Sequence, residues 1–86
     1  MNSRRGSLEI AVEILKVALE GATKTQIMYG ANLSYTSLRR YLKLLEGIGL
    51  LENKGRIYRT TDKGLRFLAI VKGAEEKGPP ELGRSS

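Results

Sequence analysis

The sequence predicts a mainly α-helical fold with one small β-hairpin, in the order helix, helix, helix, strand, strand, helix. Three observations predict it. Apolar residues recur at helical spacing in the stretches 7–20, 35–46 and 62–72. Between the last two of these, Asn53-Lys54-Gly55-Arg56 joins two short runs as a tight turn would. The 86 residues suffice for one core and not for two. With one Phe and no Trp, that core has to be built from Leu, Ile and Val, with a few Tyr at its margin.

The first helix is expected to start at Ser7 as its N-cap, with Leu8, Val12, Leu15 and Leu19 as its apolar stripe and Gly21 closing it. Its other sides carry Ile10, Ile14, Val17 and Ala18, more apolar surface than one helix of a small monomer usually buries. Thr23 can cap a short second helix over residues 24–30, with Ile27 and Met28 facing inward, before a break at Ala31, Asn32 and Leu33. Ser34 caps the third helix, whose Leu38, Tyr41, Leu42 and Leu45 fall within about one quarter of the helical circumference. Thr36, Arg40 and Lys43 lie on the opposite side, with Arg39 at its edge, so this helix has an apolar back and a basic front.

Gly47 and Gly49 end the third helix, and residues 50–53 and 56–60 are the two short runs of the hairpin, joined through Lys54 and Gly55. Thr61, or Thr60, caps a fourth helix with Asp62 in its first turn, favourably set against the helix dipole. Leu65, Phe67, Leu68, Ile70 and Val71 make that helix apolar nearly all round. The pattern fades from Gly73, and Gly78-Pro79-Pro80 opens a stretch without apolar periodicity. The expected division is therefore a flexible N-terminus over 1–6, one domain over 7–72, and a helix end with a disordered tail over 73–86.

Charge narrows the function. The formal net charge is +6, and residues 24–66 hold nine basic side chains against three acidic ones, so the whole excess falls in the middle half of the chain. Such a concentration points to a polyanionic partner, although a basic solvated surface alone would also produce it. With no Cys and no His, the chain lacks thiol nucleophiles, imidazole bases and the usual zinc ligands. No enzyme activity, metal or cofactor is expected, and no small-molecule site is evident. Arg4 and Arg5 precede an apolar stretch, but Glu9, Glu13 and Lys16 interrupt it, which argues against an export signal. No apolar run approaches the roughly 20 residues of a membrane span. Cytoplasm, in association with the nucleoid, is the expected location.

Three helices, a hairpin with a basic tip and a closing helix form the element order of a winged helix-turn-helix. In that architecture the second helix of the pair enters the major groove with its N-terminal residues over the base edges. Here residues 34–46 would be that helix and residues 54–56 the wing tip. Arg39 or Arg40 can present a bidentate fork to guanine, Thr36 and Ser37 can reach bases or phosphates, and Lys43 is better placed for phosphate. Tyr35, in the first turn, could either reach a phosphate or pack at the core edge, whereas Tyr41 belongs to the core side. Lys54 and Arg56 flank Gly55 at the wing, and Arg59, Lys63 and Lys24 could add backbone contacts. Double-stranded DNA is the expected partner. A-form RNA has a major groove too deep and narrow for a reading helix, and few aromatic side chains are available to stack single strands.

The runs Ile27-Met28-Tyr29, Ala31-Asn32-Leu33-Ser34-Tyr35, Leu38-Arg39-Arg40-Tyr41-Leu42, Leu50-Leu51-Glu52 and Tyr58-Arg59-Thr60-Thr61-Asp62-Lys63-Gly64 carry a further signal. They resemble an archaeal winged helix-turn-helix DNA-binding family that includes the crenarchaeal ten-kilodalton chromatin-associated protein. The resemblance covers roughly residues 7–72. It implies DNA binding by a dimer, in a regulatory or chromatin role. Members of that family typically dimerise through a long C-terminal helix, whereas here the helical pattern ends by about residue 77, ahead of Pro79. A homodimer burying Ile10, Ile14, Phe67 and Ile70 is expected from the apolar surplus of the first and last helices. The functional expectation is a transcriptional regulator, with an architectural chromatin protein or a protein-docking winged helix as alternatives.

Overall fold

The computed structural model describes residues 6–77. Its elements are α1 (Ser7–Val17), α2 (Lys24–Gly30), α3 (Tyr35–Gly47), β1 (Leu51–Lys54), β2 (Ile57–Thr60) and α4 (Asp62–Lys77), in the expected order. Of the expected flexible N-terminus over 1–6 and the helix end with disordered tail over 73–86, residues 1–5 and 78–86 lie outside the described residues.

α1 starts one residue earlier than Ser7 as cap would give. Gly6 is the N-cap, and its backbone N–H donates to the Glu9 carboxylate at 2.8 Å. The Ser7 hydroxyl is thereby left for a tertiary contact, and it accepts from the Tyr41 hydroxyl at 3.1 Å. The buried stripe of α1 also differs from the expected one. Ala11, Ile14, Leu15 and Ala18 are buried, while Leu8 and Leu19 are exposed. A helix apolar on several sides does not choose a face by periodicity alone. Tertiary hydrogen bonds turn its C-terminal half toward the hairpin: Thr60 donates from its hydroxyl to the Leu15 carbonyl at 2.7 Å and from its N–H to the Ala18 carbonyl at 3.0 Å.

α2 is fixed at its start by a reciprocal capping box. The Thr23 N–H donates to the Gln26 side-chain carbonyl at 2.9 Å, and the Gln26 N–H donates to the Thr23 hydroxyl at 3.2 Å. Its one buried side chain is Ile27, and Asn32 then takes a positive φ of 55° to turn the chain into α3. Ser34 caps α3 by accepting from the Ser37 N–H at 3.2 Å, and Leu38, Leu42 and Leu45 pack inward.

The hairpin is antiparallel, with Leu51 opposite Thr60 and Lys54 opposite Ile57, so its two-residue loop is Gly55-Arg56, one position beyond the Lys54-Gly55 junction read from the sequence. Gly55 has φ +63° at the first loop position, the arrangement of a type II′ turn. On its other edge β2 pairs with the α1–α2 connection. The Ala22 N–H donates to the Tyr58 carbonyl at 2.8 Å and the Tyr58 N–H to the Ala22 carbonyl at 2.7 Å.

Thr61 joins the hairpin to α4. Its hydroxyl accepts from the Gly64 N–H at 3.0 Å and donates to the Gly49 carbonyl at 2.6 Å, so one side chain caps α4 and ties it to the exit of α3. The core lies between α1, α2, α3 and the hairpin, with Ile14, Leu15, Ile27, Leu38 and Leu45 fully enclosed. Among the described residues no helix is long and apolar enough to cross a membrane.

Candidate nucleic-acid interface

The exposed side of α3 and the face of β2 next to it enclose an open cleft of about 470 Å³. It is lined by Lys24, Tyr35, Thr36, Arg39, Arg40, Leu42, Lys43, Glu46 and Tyr58. A second cleft, of about 550 Å³, lies between α2 and the wing and is lined by Thr23, Lys24, Thr25, Asn53, Gly55, Arg56 and Tyr58. Lys24 and Tyr58 border both, so the two form one continuous basic surface running from α3 to the wing.

The local sequence explains this placement. Leu38, Leu42 and Leu45 hold the back of α3 in the core, and helical spacing then turns Thr36, Arg39, Arg40 and Lys43 outward. The Arg39 guanidinium lies 5.9 Å from the centroid of the exposed Tyr35 ring, a cation–π contact that orients its fork. Strand alternation sends Tyr58 to one face of the hairpin and Arg59 to the other. At the wing, the Asn53 side-chain amide donates to the Gly55 and Ile57 carbonyls at 3.0 and 3.2 Å, which stiffens the loop that carries Arg56.

Of the residues expected at the interface, Lys24, Tyr35, Thr36, Arg39, Arg40 and Lys43 line the α3 cleft, and Arg56 joins Lys24 in the wing cleft. Ser37 is half-buried beside the capping hydroxyl of Ser34 and lines neither cleft. Lys54 is exposed on the wing outside both. The Arg59 guanidinium approaches Gly21 in the α1–α2 connection, on the opposite hairpin face from Tyr58. Lys63 donates to the Ile48 carbonyl at 2.7 Å, so its amine satisfies the end of α3.

Tyr58 and Glu46 were not anticipated at this site. Tyr58 is 8% exposed yet borders both clefts. Its hydroxyl is held above the ordinary tyrosine pKa, first by burial and then by the charges of Glu46 and Tyr35, so it stays protonated and can donate a hydrogen bond. Alternation along residues 56–60 could have assigned Tyr58 to the inner face. Nothing in the sequence indicated that this face also borders α3.

The residues expected at a dimer interface divide. Ile70 is 71% exposed, and Ile10 and Phe67 are partly buried against the core. Ile14 has no exposed surface, because α1 turns it inward between its neighbouring helices, and it is removed from the expected interface. Leu8 and Leu65 are exposed apolar residues on the same two helices.

A capped helix pair with a sharp turn, a two-stranded wing pinned beside the second helix and a basic cleft between them define a winged helix-turn-helix. Residues 4–78 match the family model described as winged helix-turn-helix, and the chain belongs to that family. It is 32% identical over 69 residues to an uncharacterized protein of Methanocaldococcus jannaschii, covering 79% of this chain and 71% of the relative. The structure is similar to the crystal structure of Sso10a-2, described as a DNA-binding protein from Sulfolobus solfataricus. The TM-score is 0.65 at 28% sequence identity, covering 95% of this chain and all of the other.

Proposed function

We propose that this chain binds double-stranded DNA as a transcriptional regulator, with α3 in the major groove and the wing on the backbone or in the minor groove. The observation that carries this reading is the single basic surface on which Arg39, Arg40 and Lys43 of α3 meet Lys24 of α2 and Arg56 of the wing. A helix fits the roughly 12 Å width of the B-DNA major groove, and the flanking cations suit the phosphates on either side. The similarity to Sso10a-2, a DNA-binding protein, supports the same partner. Thr36, Arg39 and Arg40, on the first two turns of α3, offer groups able to discriminate bases, which favours a regulator over an architectural protein. The exposed Leu8, Leu65 and Ile70 support a homodimer through α1 and α4.

The test is fluorescence anisotropy of a labelled random-sequence DNA duplex at several salt concentrations, with an RNA duplex of equal length alongside. DNA is expected to be preferred, and log affinity to fall against log salt with a slope of about −5, as for neutralisation of about six phosphates. No binding at low salt would overturn the reading and make the basic surface a protein-docking face. Selection from a random pool then separates the two DNA roles. A regulator enriches a site bound at least about a thousandfold tighter than random DNA, and an architectural protein enriches none.

A further inference from the structure

Among the described residues lining the α3 cleft, Glu46 is the one carboxylate, facing the same space as Lys24, Arg39, Arg40 and Lys43. Helical geometry puts it on their stripe. Seven residues fall about 20° short of two turns, so Glu46 lies almost in line with Arg39 and next to Lys43. It is exposed. Its charge nevertheless acts within the cleft, where it is felt at the Tyr58 hydroxyl. The amine beyond the helix end, that of Lys63, donates to the Ile48 carbonyl.

Position along the helix decides what such a carboxylate meets. Glu46 is eleven residues beyond Tyr35, about 17 Å along the axis, whereas the major groove is about 12 Å wide. With α3 set across the groove and its N-terminal turns over base edges, the end bearing Glu46 stands at the groove's rim, against phosphates. Accepting a hydrogen bond from a cytosine amino group, the usual base contact of a glutamate, would need it inside the groove. We propose that Glu46 is an electrostatic limit on sequence-independent DNA affinity, repelling the backbone at the C-terminal end of α3 so that tight binding requires base contacts at its N-terminal end. This proposal rests on the duplex-DNA reading above.

The test compares the full chain with its Glu46→Gln variant on the random-sequence duplex over a salt series, with Glu13→Gln on α1 as the same charge change away from the cleft. Glu46→Gln is expected to bind random DNA about threefold more tightly, as for removal of one unit charge about 6 Å from a phosphate in water. Its salt slope is expected to steepen by up to about 0.9. Glu13→Gln is expected to match the parent, and all three proteins to melt at the same temperature. Equal or weaker binding by Glu46→Gln would overturn the proposal while leaving DNA binding intact. An equal gain from Glu13→Gln would reduce the effect to net charge and also overturn it. A loss confined to cytosine-bearing sites would make Glu46 a base reader instead. If neither parent nor variant binds duplex DNA, the functional reading fails and the proposal with it.

Discussion

Arg39 and Arg40 line the α3 cleft and lie outside the core, since both are exposed and turned away from Leu38, Leu42 and Leu45. Replacing both with Ala is expected to weaken duplex binding at least about thirtyfold while leaving the melting temperature unchanged, because each arginine fork is worth about 1–3 kcal/mol to a base or phosphate. Anisotropy titration beside a thermal melt checks both halves, and unchanged affinity would move the interface off α3. Tyr58 acts on both sides of that division, as a buried ring with a hydroxyl at the cleft. Its raised pKa fixes the sign of a pH effect. Below the ordinary tyrosine value of 10.0 both folded and unfolded states hold the proton, and Tyr58 contributes no pH dependence. Above it the unfolded state releases the proton first, so stability falls as pH rises toward the folded pKa. Tyr58→Phe keeps the ring and removes that ionisation. Melting curves above about pH 10 should therefore fall less steeply for the variant than for the parent, while its duplex affinity drops a few-fold.

The elements meet at one point where side-chain size is critical. A Cβ on Gly64 would strike the Leu50 carbonyl and come within 2.6 Å of the Thr60 methyl group, so the first turn of α4 lies directly on the exits of α3 and β2. Gly64→Ala is expected to cost about 1–3 kcal/mol, as an overpacked site does. The loss should appear as a lower urea midpoint with an unchanged slope, and a more stable variant would mean that α4 docks otherwise. The sequence range of the contact that sets a feature decides whether it is legible in the sequence. Capping signals act within four residues, so Thr23 and Ser34 marked two helix starts correctly, and of the two candidates Thr60 and Thr61 it is Thr61 that caps α4. The amphipathic pattern of α3 gave its buried and exposed sides, and with them five of the cleft residues. α1 offered no such contrast. Its inward face is set by Thr60, forty-five residues from Leu15, and a contact of that separation leaves no mark in local periodicity. For the same reason the positions of Arg59 beside Gly21 and of the Lys63 amine on the Ile48 carbonyl were not legible in the sequence.

At the scale of the whole molecule, the basic cleft and one group of exposed apolar residues lie on different elements. The basic cleft belongs to α2, α3 and the wing, whereas Leu8, Leu65 and Ile70 are exposed on α1 and α4. A second copy joined through α1 and α4 would leave both α3 helices free, and two-fold symmetry would then present them to two half-sites related by the same axis. Ile70 is the discriminating residue. At 71% exposure it adds little to the fold of a single chain, so Ile70→Glu should leave that fold intact while placing a charge in the shared face. Sedimentation velocity is expected to show the parent chain as a dimer at micromolar concentration and Ile70→Glu as a monomer with the same helical circular dichroism. On a selected palindromic site, the monomer should lose the gain that comes from tethering two reading helices and bind each half-site independently. A parent chain that sediments as a monomer at high micromolar concentration would rule out this dimer, and a single α3 and wing would then account for all recognition.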